Sequence, residues 1–146
     1  MPFQGKRCGE ELYGFGFDDS IDDYKVVCGE MYRDNGDVVT VFSVYTLKTG
    51  YWRVIEKQFP YRYARCRLSY SGILVNGALH WLMHRLGSPD RSLVIVSFLL
   101  AEEEVREIPF RLSHFAPFHD TMVLGAFREE RLFITHHQDT VMTFGS

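Results

Sequence analysis

The feature of the sequence that most limits its possible folds is a strand-and-turn pattern that repeats about every 50 residues. Three residue pairs are 53 positions apart: Tyr45 and Phe98, Arg53 and Arg106, and Ile55 and Ile108. Two further matches place Leu79 55 positions after Tyr24 and 52 positions before Arg131. A period near 50 residues, filled by four short strands, is that of a kelch-like propeller blade. We therefore expect an all-β fold, a partial kelch-like β-propeller of about two and a half four-stranded antiparallel blades. A β-sandwich whose strands match by coincidence is the alternative.

The turns between the strands support an antiparallel arrangement with almost no helix. Asn35-Gly36 and Asn76-Gly77 are hairpin signals, because Asn-Gly tolerates the positive φ angles of a tight turn. The segment 38–45 is largely apolar on both alternating faces, so both faces need a cover. Sheets stacked face to face would provide that cover.

The third repeat unit begins at Val123 and is unfinished where the sequence ends at Ser146. We expect residues 1–11 to be a tail and residues 12–146 to be one domain that is truncated at its C-terminal end. A closed propeller needs about 4–8 blades, so this chain would leave strand edges and apolar faces uncovered. Self-association of the isolated chain is the expected result.

Composition excludes several classes of protein. The net charge is −3, whereas nucleic-acid-binding domains are usually clearly basic. Cys8, Cys28 and Cys66 are odd in number and far apart, which argues against a disulfide framework and a zinc site and favours free thiols. No signal peptide begins the sequence, and no apolar run approaches the roughly 20 residues that span a bilayer. We expect a chain without a membrane or nucleic-acid partner, in the cytoplasm or the nucleus.

Candidate catalytic and metal-binding residues are few. His136-His137 with Asp139, and His114 with His119-Asp120, are the clusters that invite a metal or catalytic interpretation. Adjacent residues on a strand point to opposite faces, and zinc needs three or four convergent ligands. Nucleophile and dinucleotide motifs are also missing. The prediction is therefore no enzyme, with no catalytic residues, no cofactor-binding residues and no metal ligands.

A set of ordered motifs carries a family resemblance. The motifs are the segments 13–18, 22–27, 44–49 with Trp52-Arg53, 75–82, 95–98 and 106–109. In this order and spacing, the chain resembles the type 1 F-box-associated domain of plant F-box proteins. The resemblance implies a module that holds the protein substrate of an SCF-type ubiquitin ligase. No F-box resemblance precedes Leu12, so we do not expect this chain to bind the ligase adaptor. The alternatives are a propeller module that binds a small ligand or a glycan, or a truncated product without independent function.

The partner-binding surface is expected on connections between strands, since strand side chains are used for packing. The segment after Pro60 alternates aromatic residues with arginine, and these side chains dominate binding hot spots. The candidates are Tyr61, Arg62, Tyr63, Arg65 and Arg67, followed by Phe115 and Phe118 of a second connection. A packed linker whose rings lie against the blades is the alternative for the first group.

The repeat also predicts the positions of its two tryptophans and of two arginines. We expect Trp52 and Trp81 to occupy equivalent places and to pack in the core or between blades. Arg53 and Arg106 recur at one repeat position, where we expect them to bind a carboxylate or carbonyl of a neighbouring strand. The acidic run Glu102-Glu103-Glu104 is expected to be a solvated turn.

Overall fold

The computed structural model describes residues 6–34, 36–63, 71–86, 93–109, 123–127, 131–135 and 141–144. All regular elements in these ranges are β-strands, which agrees with the predicted fold class. The strands are β1 (Lys6–Asp18), β2 (Asp23–Asp34), β3 (Asp37–Thr46), β4 (Tyr51–Phe59), β5 (Tyr61–Tyr63), β6 (Ile73–Val75), β7 (Ala78–Arg85), β8 (Leu93–Leu99), β9 (Glu104–Pro109), β10 (Val123–Phe127), β11 (Arg131–Thr135) and β12 (Val141–Phe144).

The strands form three antiparallel sheets that follow one another along the chain. The first sheet has the order β1-β2-β3-β4, and the third has the order β10-β11-β12. In the second sheet the order is β5-β7-β8-β9, with β6 also paired to β7. Apart from β5, neighbouring strands are consecutive in sequence, as in the blades of a propeller. The chain is thus a partial β-propeller.

The predicted repeat is present in the strand register. Val44 pairs with Arg53 in the first sheet, and Ser97 pairs with Arg106 at the same place in the second. The offset of 53 positions also holds for β2 and β7. Lys25 pairs with Thr46, as Ala78 pairs with Leu99. In the second repeat β7, β8 and β9 therefore copy β2, β3 and β4 of the first.

One predicted match is wrong. Leu79 corresponds to Val26 and not to Tyr24, because the turns that precede the two strands differ in length. Asp18 pairs with Asp23 across four turn residues in the first sheet, whereas Val75 pairs with Ala78 across two. The two-residue turn is Asn76-Gly77, with φ angles of 48° and 77°. Two positive φ angles are what the Asn-Gly pattern predicts for a hairpin.

The main core lies between the first and second sheets. Phe42 of β3 is fully buried and its ring is tilted against those of Trp81 and Phe98, at centroid distances of 5.8 and 5.5 Å. Gly14 of β1 allows the closest approach: a Cβ there would lie 2.5 Å from a methyl carbon of Leu79. Because Gly14 has no side chain, Leu79 and Trp81 of the second sheet can pack directly against the backbone of β1.

The opposite face of the second sheet is also covered. Leu82 and Ile95 are buried there, and so is the polar pair His80 and Ser97. β10 of the third sheet contacts β6 of the second. A strand buried on both faces reads as a nearly continuous apolar run, which is the pattern of β8.

The second sheet has a divided edge strand. β6 pairs with the first half of β7, and β5 pairs with the second half, so both occupy the same edge. Tyr61 opposes Arg85, while Val75 opposes Ala78 at the other end of β7. In the first sheet the corresponding edge is one long strand, β1, which begins at Lys6.

Candidate protein-binding surfaces and the junction between the sheets

Tyr61 anchors the start of the predicted partner-binding segment. Its side chain is buried, and its phenol donates a hydrogen bond to a carboxylate oxygen of Glu107 at 2.8 Å. The Tyr61 carbonyl accepts a hydrogen bond from the hydroxyl of Thr40 at 2.8 Å, and its ring stacks on Phe59. Burial and the bond to Glu107 both raise the pKa of the Tyr61 phenol. Tyr61 is therefore a packing residue that joins the two sheets and is inaccessible to a partner.

The other predicted contact residues fall in different places. Arg62 is half-buried on β5, opposite His84. Tyr63 ends β5 and opposes Met83. Arg65, Arg67, Phe115 and Phe118 lie outside the described residues. A role in partner binding stays a prediction for these residues.

A second surface was not predicted: the outer face of the first sheet is aromatic and exposed. Along β1 the side chains alternate, with Tyr13, Phe15 and Phe17 exposed and the residues between them buried. Phe15 stacks on Tyr24 of β2 at a centroid distance of 5.1 Å. We call the aromatic face the set formed by Tyr13, Phe15, Phe17, Tyr24, Val26, Tyr45, Trp52 and Val54.

Trp52 lies on β4, at the edge of the aromatic face opposite β1, and its exposure differs from the prediction. Trp52 is 51% exposed and contacts the ring of Tyr45, whereas Trp81 is buried in the core. The two tryptophans are not equivalent, because the repeat aligns Trp52 with Val105 and Trp81 with Cys28. Core packing was the wrong expectation for Trp52. Its side chain lies on the one face of the first sheet that the second sheet does not cover.

A cluster of charges, in which Asp18 and Lys25 are buried, joins the first two sheets near the start of β4. Glu103, in the turn after β8, reaches back to the first sheet, where its carboxylate binds Arg53 at 2.6 Å and Lys25 at 2.9 Å. The Lys25 ammonium also contacts Asp18 at 2.7 Å and donates to the carbonyl of Leu100 at 2.6 Å. Arg53 has a carboxylate partner, as predicted, but Glu103 lies in a turn of the second sheet and not on a neighbouring strand, and Arg106 contacts Glu104 of its own strand. The prediction that the glutamate run is a solvated turn is wrong for Glu103.

The electrostatics of this cluster hold both acids in the ionised form. Hydrogen bonds from Arg53, together with Lys25, outweigh burial and lower the pKa of the Glu103 carboxyl. Burial alone would raise the pKa of Asp18, but hydrogen bonds from Lys25 and Ser20 reverse the direction and lower it. A buried lysine needs such partners, because an unpaired charge in the interior is costly. The cluster is a structural junction with all of its charges paired.

His80 and Ser97 form a polar pair on the opposite face of the second sheet. His80 Nε2 lies 3.2 Å from the Ser97 hydroxyl, and Nδ1 lies 3.0 Å from the carbonyl of Ile73. A neutral ring with its proton on Nδ1 satisfies both contacts, donating to the carbonyl and accepting from the serine. Burial lowers the pKa of His80 and favours this neutral form. No third catalytic group completes the pair among the residues described, so it acts as a satisfied core contact.

Other site chemistry is limited in the part of the chain that the structure describes. Within these ranges no group of three or more His, Cys, Asp or Glu side chains could hold a metal ion. The described ranges also contain no helix long and apolar enough to cross a membrane. Cys28 is a buried free thiol, as expected, and burial raises its pKa to about 11. His114, His119, Asp120, His136, His137 and Asp139 lie outside the described residues.

Comparison with known proteins agrees with this architecture. The chain is 35% identical to an F-box/kelch-repeat protein of Arabidopsis thaliana over 66% of its own length and 25% of the relative's. It is 33% identical to a putative F-box protein of the same plant over 75% of the chain and 28% of the relative. The F-box protein CPR1, also from Arabidopsis thaliana, is 31% identical over 75% of the chain and 30% of CPR1.

The chain thus spans about a quarter to a third of these relatives' length. No solved structure matches it significantly. The family model described as the F-box associated beta propeller domain matches residues 3–145, which is nearly the whole sequence. With three consecutive antiparallel sheets and a repeat that recurs in the strand register, the chain belongs to the F-box associated beta propeller domain family.

Proposed function

We propose that this chain is part of the substrate-recognition portion of an SCF-type ubiquitin ligase, and that it binds a protein and catalyses no reaction. The family and the F-box relatives support this role. The buried thiol of Cys28 suits a reducing compartment, and we place the protein in the cytoplasm or the nucleus.

The use of the strand side chains supports recognition through the connections between strands. Lys25 and Arg53 both bind Glu103 at the sheet junction, and His80 contacts Ser97 within the second sheet. These polar groups already have partners inside the protein. Rigid strands that position variable connections are the usual arrangement for a binding module.

The anchoring of Tyr61 is the observation that carries the proposal. Its phenol is fixed to Glu107 of the second sheet and its carbonyl to Thr40 of the first. Pro60 adds a further bond, since its carbonyl accepts from the amide of Leu86 at 2.7 Å. The residues that follow, rich in tyrosine and arginine, therefore start from a fixed point. Preorganisation of this kind lowers the entropy cost of binding.

The test is a Tyr63→Ala, Arg65→Ala double substitution in the full-length protein. Partner proteins purified from plant tissue with the wild type are quantified for the variant. We expect the bound partner to be lost, because truncation of a hot-spot residue costs about 2 kcal/mol or more in binding. Arg106→Ala is the matched control, since Arg106 is exposed on β9 and contacts Glu104 of its own strand.

Thermal unfolding separates a binding effect from a folding effect. We expect the double variant to melt at the wild-type temperature, because the described anchor is formed by Pro60 and Tyr61. Retention of the same partners by a folded double variant would show that the segment is only a linker. Unfolding of the variant would make the two side chains packing residues, and either result contradicts this choice of binding element.

A further inference from the structure

The charges of the chain are distributed unevenly, and its basic part contains the proposed binding element. The span 57–89 contains no Asp or Glu and five cationic residues: Lys57, Arg62, Arg65, Arg67 and Arg85. The rest of the chain holds the other 11 basic residues and all 19 acidic ones, which gives it a net charge of −8. An anionic ligand is therefore attracted to this span and repelled by the rest of the chain.

Strands β5 and β7 bring the two ends of the basic span together at the start of the binding element. Opposing residues of an antiparallel pair share a face of the sheet. Arg85 opposes the buried Tyr61, on the face that packs against the first sheet. Arg62 is half-buried and opposes His84 on the other face. Arginine side chains therefore flank the start of the element on both faces of the sheet.

The carboxylate that contacts this region already has two partners. Glu107 accepts a hydrogen bond from the Tyr61 phenol at 2.8 Å, and its other oxygen lies 3.4 Å from the Arg85 guanidinium. Lys57 of the neighbouring β4 is exposed, with its ammonium 5.3 Å from the centre of the Phe59 ring. Glu107 thus fixes the anchor of the element, and one carboxylate does not cancel the charge of five cations.

We propose that the partner segment bound by this element is acidic, a stretch of polypeptide rich in Asp and Glu. Guanidinium groups suit such a partner, because each can bind a carboxylate through two parallel hydrogen bonds. A short acidic peptide fits better than a nucleic acid, because the net charge of −8 on the rest of the chain repels a long polyanion. The inference rests on the proposed substrate-recognition function and names the chemistry of the partner.

Selection from a library of short random peptides tests the inference with the full-length protein. We expect the selected peptides to be enriched in Asp and Glu. A selected peptide is then compared with its amide analogue, in which Asn replaces each Asp and Gln replaces each Glu. The analogue should bind at least about tenfold more weakly at low salt, because each exposed ion pair contributes about two- to fivefold. Added salt should reduce this difference by screening the charges.

Two triple variants with the same change in net charge locate the effect. The first replaces three arginines of the element: Arg62→Gln, Arg65→Gln and Arg67→Gln. It should bind the acidic peptide and the amide analogue equally weakly. The control replaces three exposed cations elsewhere: Arg33→Gln, Lys48→Gln and Arg106→Gln. It should keep the preference for the acidic peptide. If thermal unfolding shows that the first variant does not fold, Arg65→Gln with Arg67→Gln replaces it and leaves the half-buried Arg62 unchanged.

Three outcomes would overturn the inference. Selected peptides without an excess of Asp and Glu would remove the acidic specificity. An equal loss of binding in the two triple variants would mean that no particular part of the chain attracts the peptide. Tighter binding of random single-stranded RNA than of the acidic peptide, at the same salt concentration, would make the partner a nucleic acid. Partner loss in the Tyr63→Ala, Arg65→Ala variant would still support the binding element in the first case, so the two proposals fail separately.

Discussion

Glu103 has the same left-handed backbone conformation as Gly50, one repeat earlier in the chain. Their φ angles are 56° and 76°. Each amide donates a hydrogen bond to the residue four positions before it, Glu103 to the Leu99 carbonyl at 2.8 Å and Gly50 to the Thr46 carbonyl at 2.9 Å. Glycine adopts this conformation freely, whereas it costs a residue with a Cβ about 1–2 kcal/mol. In the second turn this cost is offset, because the Glu103 carboxylate binds Lys25 and Arg53.

Removal of the Glu103 charge should therefore destabilise the junction between the sheets. We expect Glu103→Gln to lower the free energy of unfolding by about 1–3 kcal/mol, the cost of leaving a buried donor or acceptor without its partner. The effect falls below that of a fully buried pair because the Arg53 side chain is 43% exposed and solvent screens it. Urea denaturation measures the change. Glu104→Gln is the control and should change stability by less than about 0.5 kcal/mol, and an equal effect of the two variants would contradict a stabilising role for the cluster.

The free energy of unfolding should decrease as the pH is lowered, in two separate pH ranges. The pKa of His80 is lowered from 6.5 in the folded state, so its contribution is complete above pH 6.5 and is lost as the pH falls through the folded value. The pKa values of Glu103 and Asp18 are lowered from 4.5 and 3.8, so their contributions are lost only at more acid pH. Urea unfolding at a series of pH values would follow both losses.

A double substitution in the second sheet separates the two ranges. His80 and Ser97 correspond to the paired Val27 and Val44 of the first sheet, so His80→Val with Ser97→Val copies an existing apolar pair. The double variant should lose the pH dependence just below pH 6.5 and keep the dependence below pH 4.5. A decline between pH 6.5 and 4.5 equal to that of the wild type would show that another group is responsible.

Gly14 should not tolerate a side chain. An added Cβ would lie 2.5 Å from a Leu79 methyl carbon and 3.0 Å from the Trp81 ring, so in Gly14→Ala these buried side chains or the sheet itself must shift. We expect a loss of about 1–3 kcal/mol, as for other overpacked cores. Gly29→Ala is the comparison, because its nearest neighbour is a Phe42 ring carbon at 3.1 Å and a smaller shift suffices. Thermal unfolding of both variants checks the order, and a Gly29→Ala variant that is the less stable of the two would contradict this account of the packing.

The chain of 146 residues should not recruit the ligase adaptor. The family resemblance assigns adaptor contacts to the helices of the F-box, and the described residues here are strands and turns without helix. A pull-down with purified adaptor should recover nothing above background, while a full-length F-box relative serves as the positive control. Adaptor bound to this chain in a ratio near one to one would refute the prediction.

The repeat made much of the fold predictable from the sequence. Arg53 and Arg106 are 53 residues apart and hold the same place in the strand registers of the two sheets. Side chains alternate between the two faces of a sheet, so a repeat that keeps the same faces buried must also keep the same register. Asn76-Gly77 was predictable for a local reason, the need for two positive φ angles. The register and the turn are both set by local backbone conformation, which residues close together in the sequence determine.

The contacts between sheets were harder to predict. Trp52 and Trp81 look alike in the sequence, yet one is exposed and the other buried, because that outcome depends on which face has a neighbouring sheet. The contact of Glu103 could have been predicted from its alignment with Gly50. A glutamate at a position that favours glycine suggests that its carboxylate makes a stabilising contact. Tyr61 was assigned to two possible roles for the same reason, as its partners Thr40 and Glu107 are distant in sequence.

The divided edge of the second sheet has a consequence for how this part of the chain can vary. β5 leaves the edge of β7 at Tyr63, and β6 returns to the same edge at Ile73. Because each strand is held by its own register, residues inserted between them change neither pairing. Lengthening a connection costs little in general, about 0.6 kcal/mol for each doubling of its length. Homologous proteins can therefore gain or lose residues between these two strands, and so change the proposed binding element, while the blades remain unchanged.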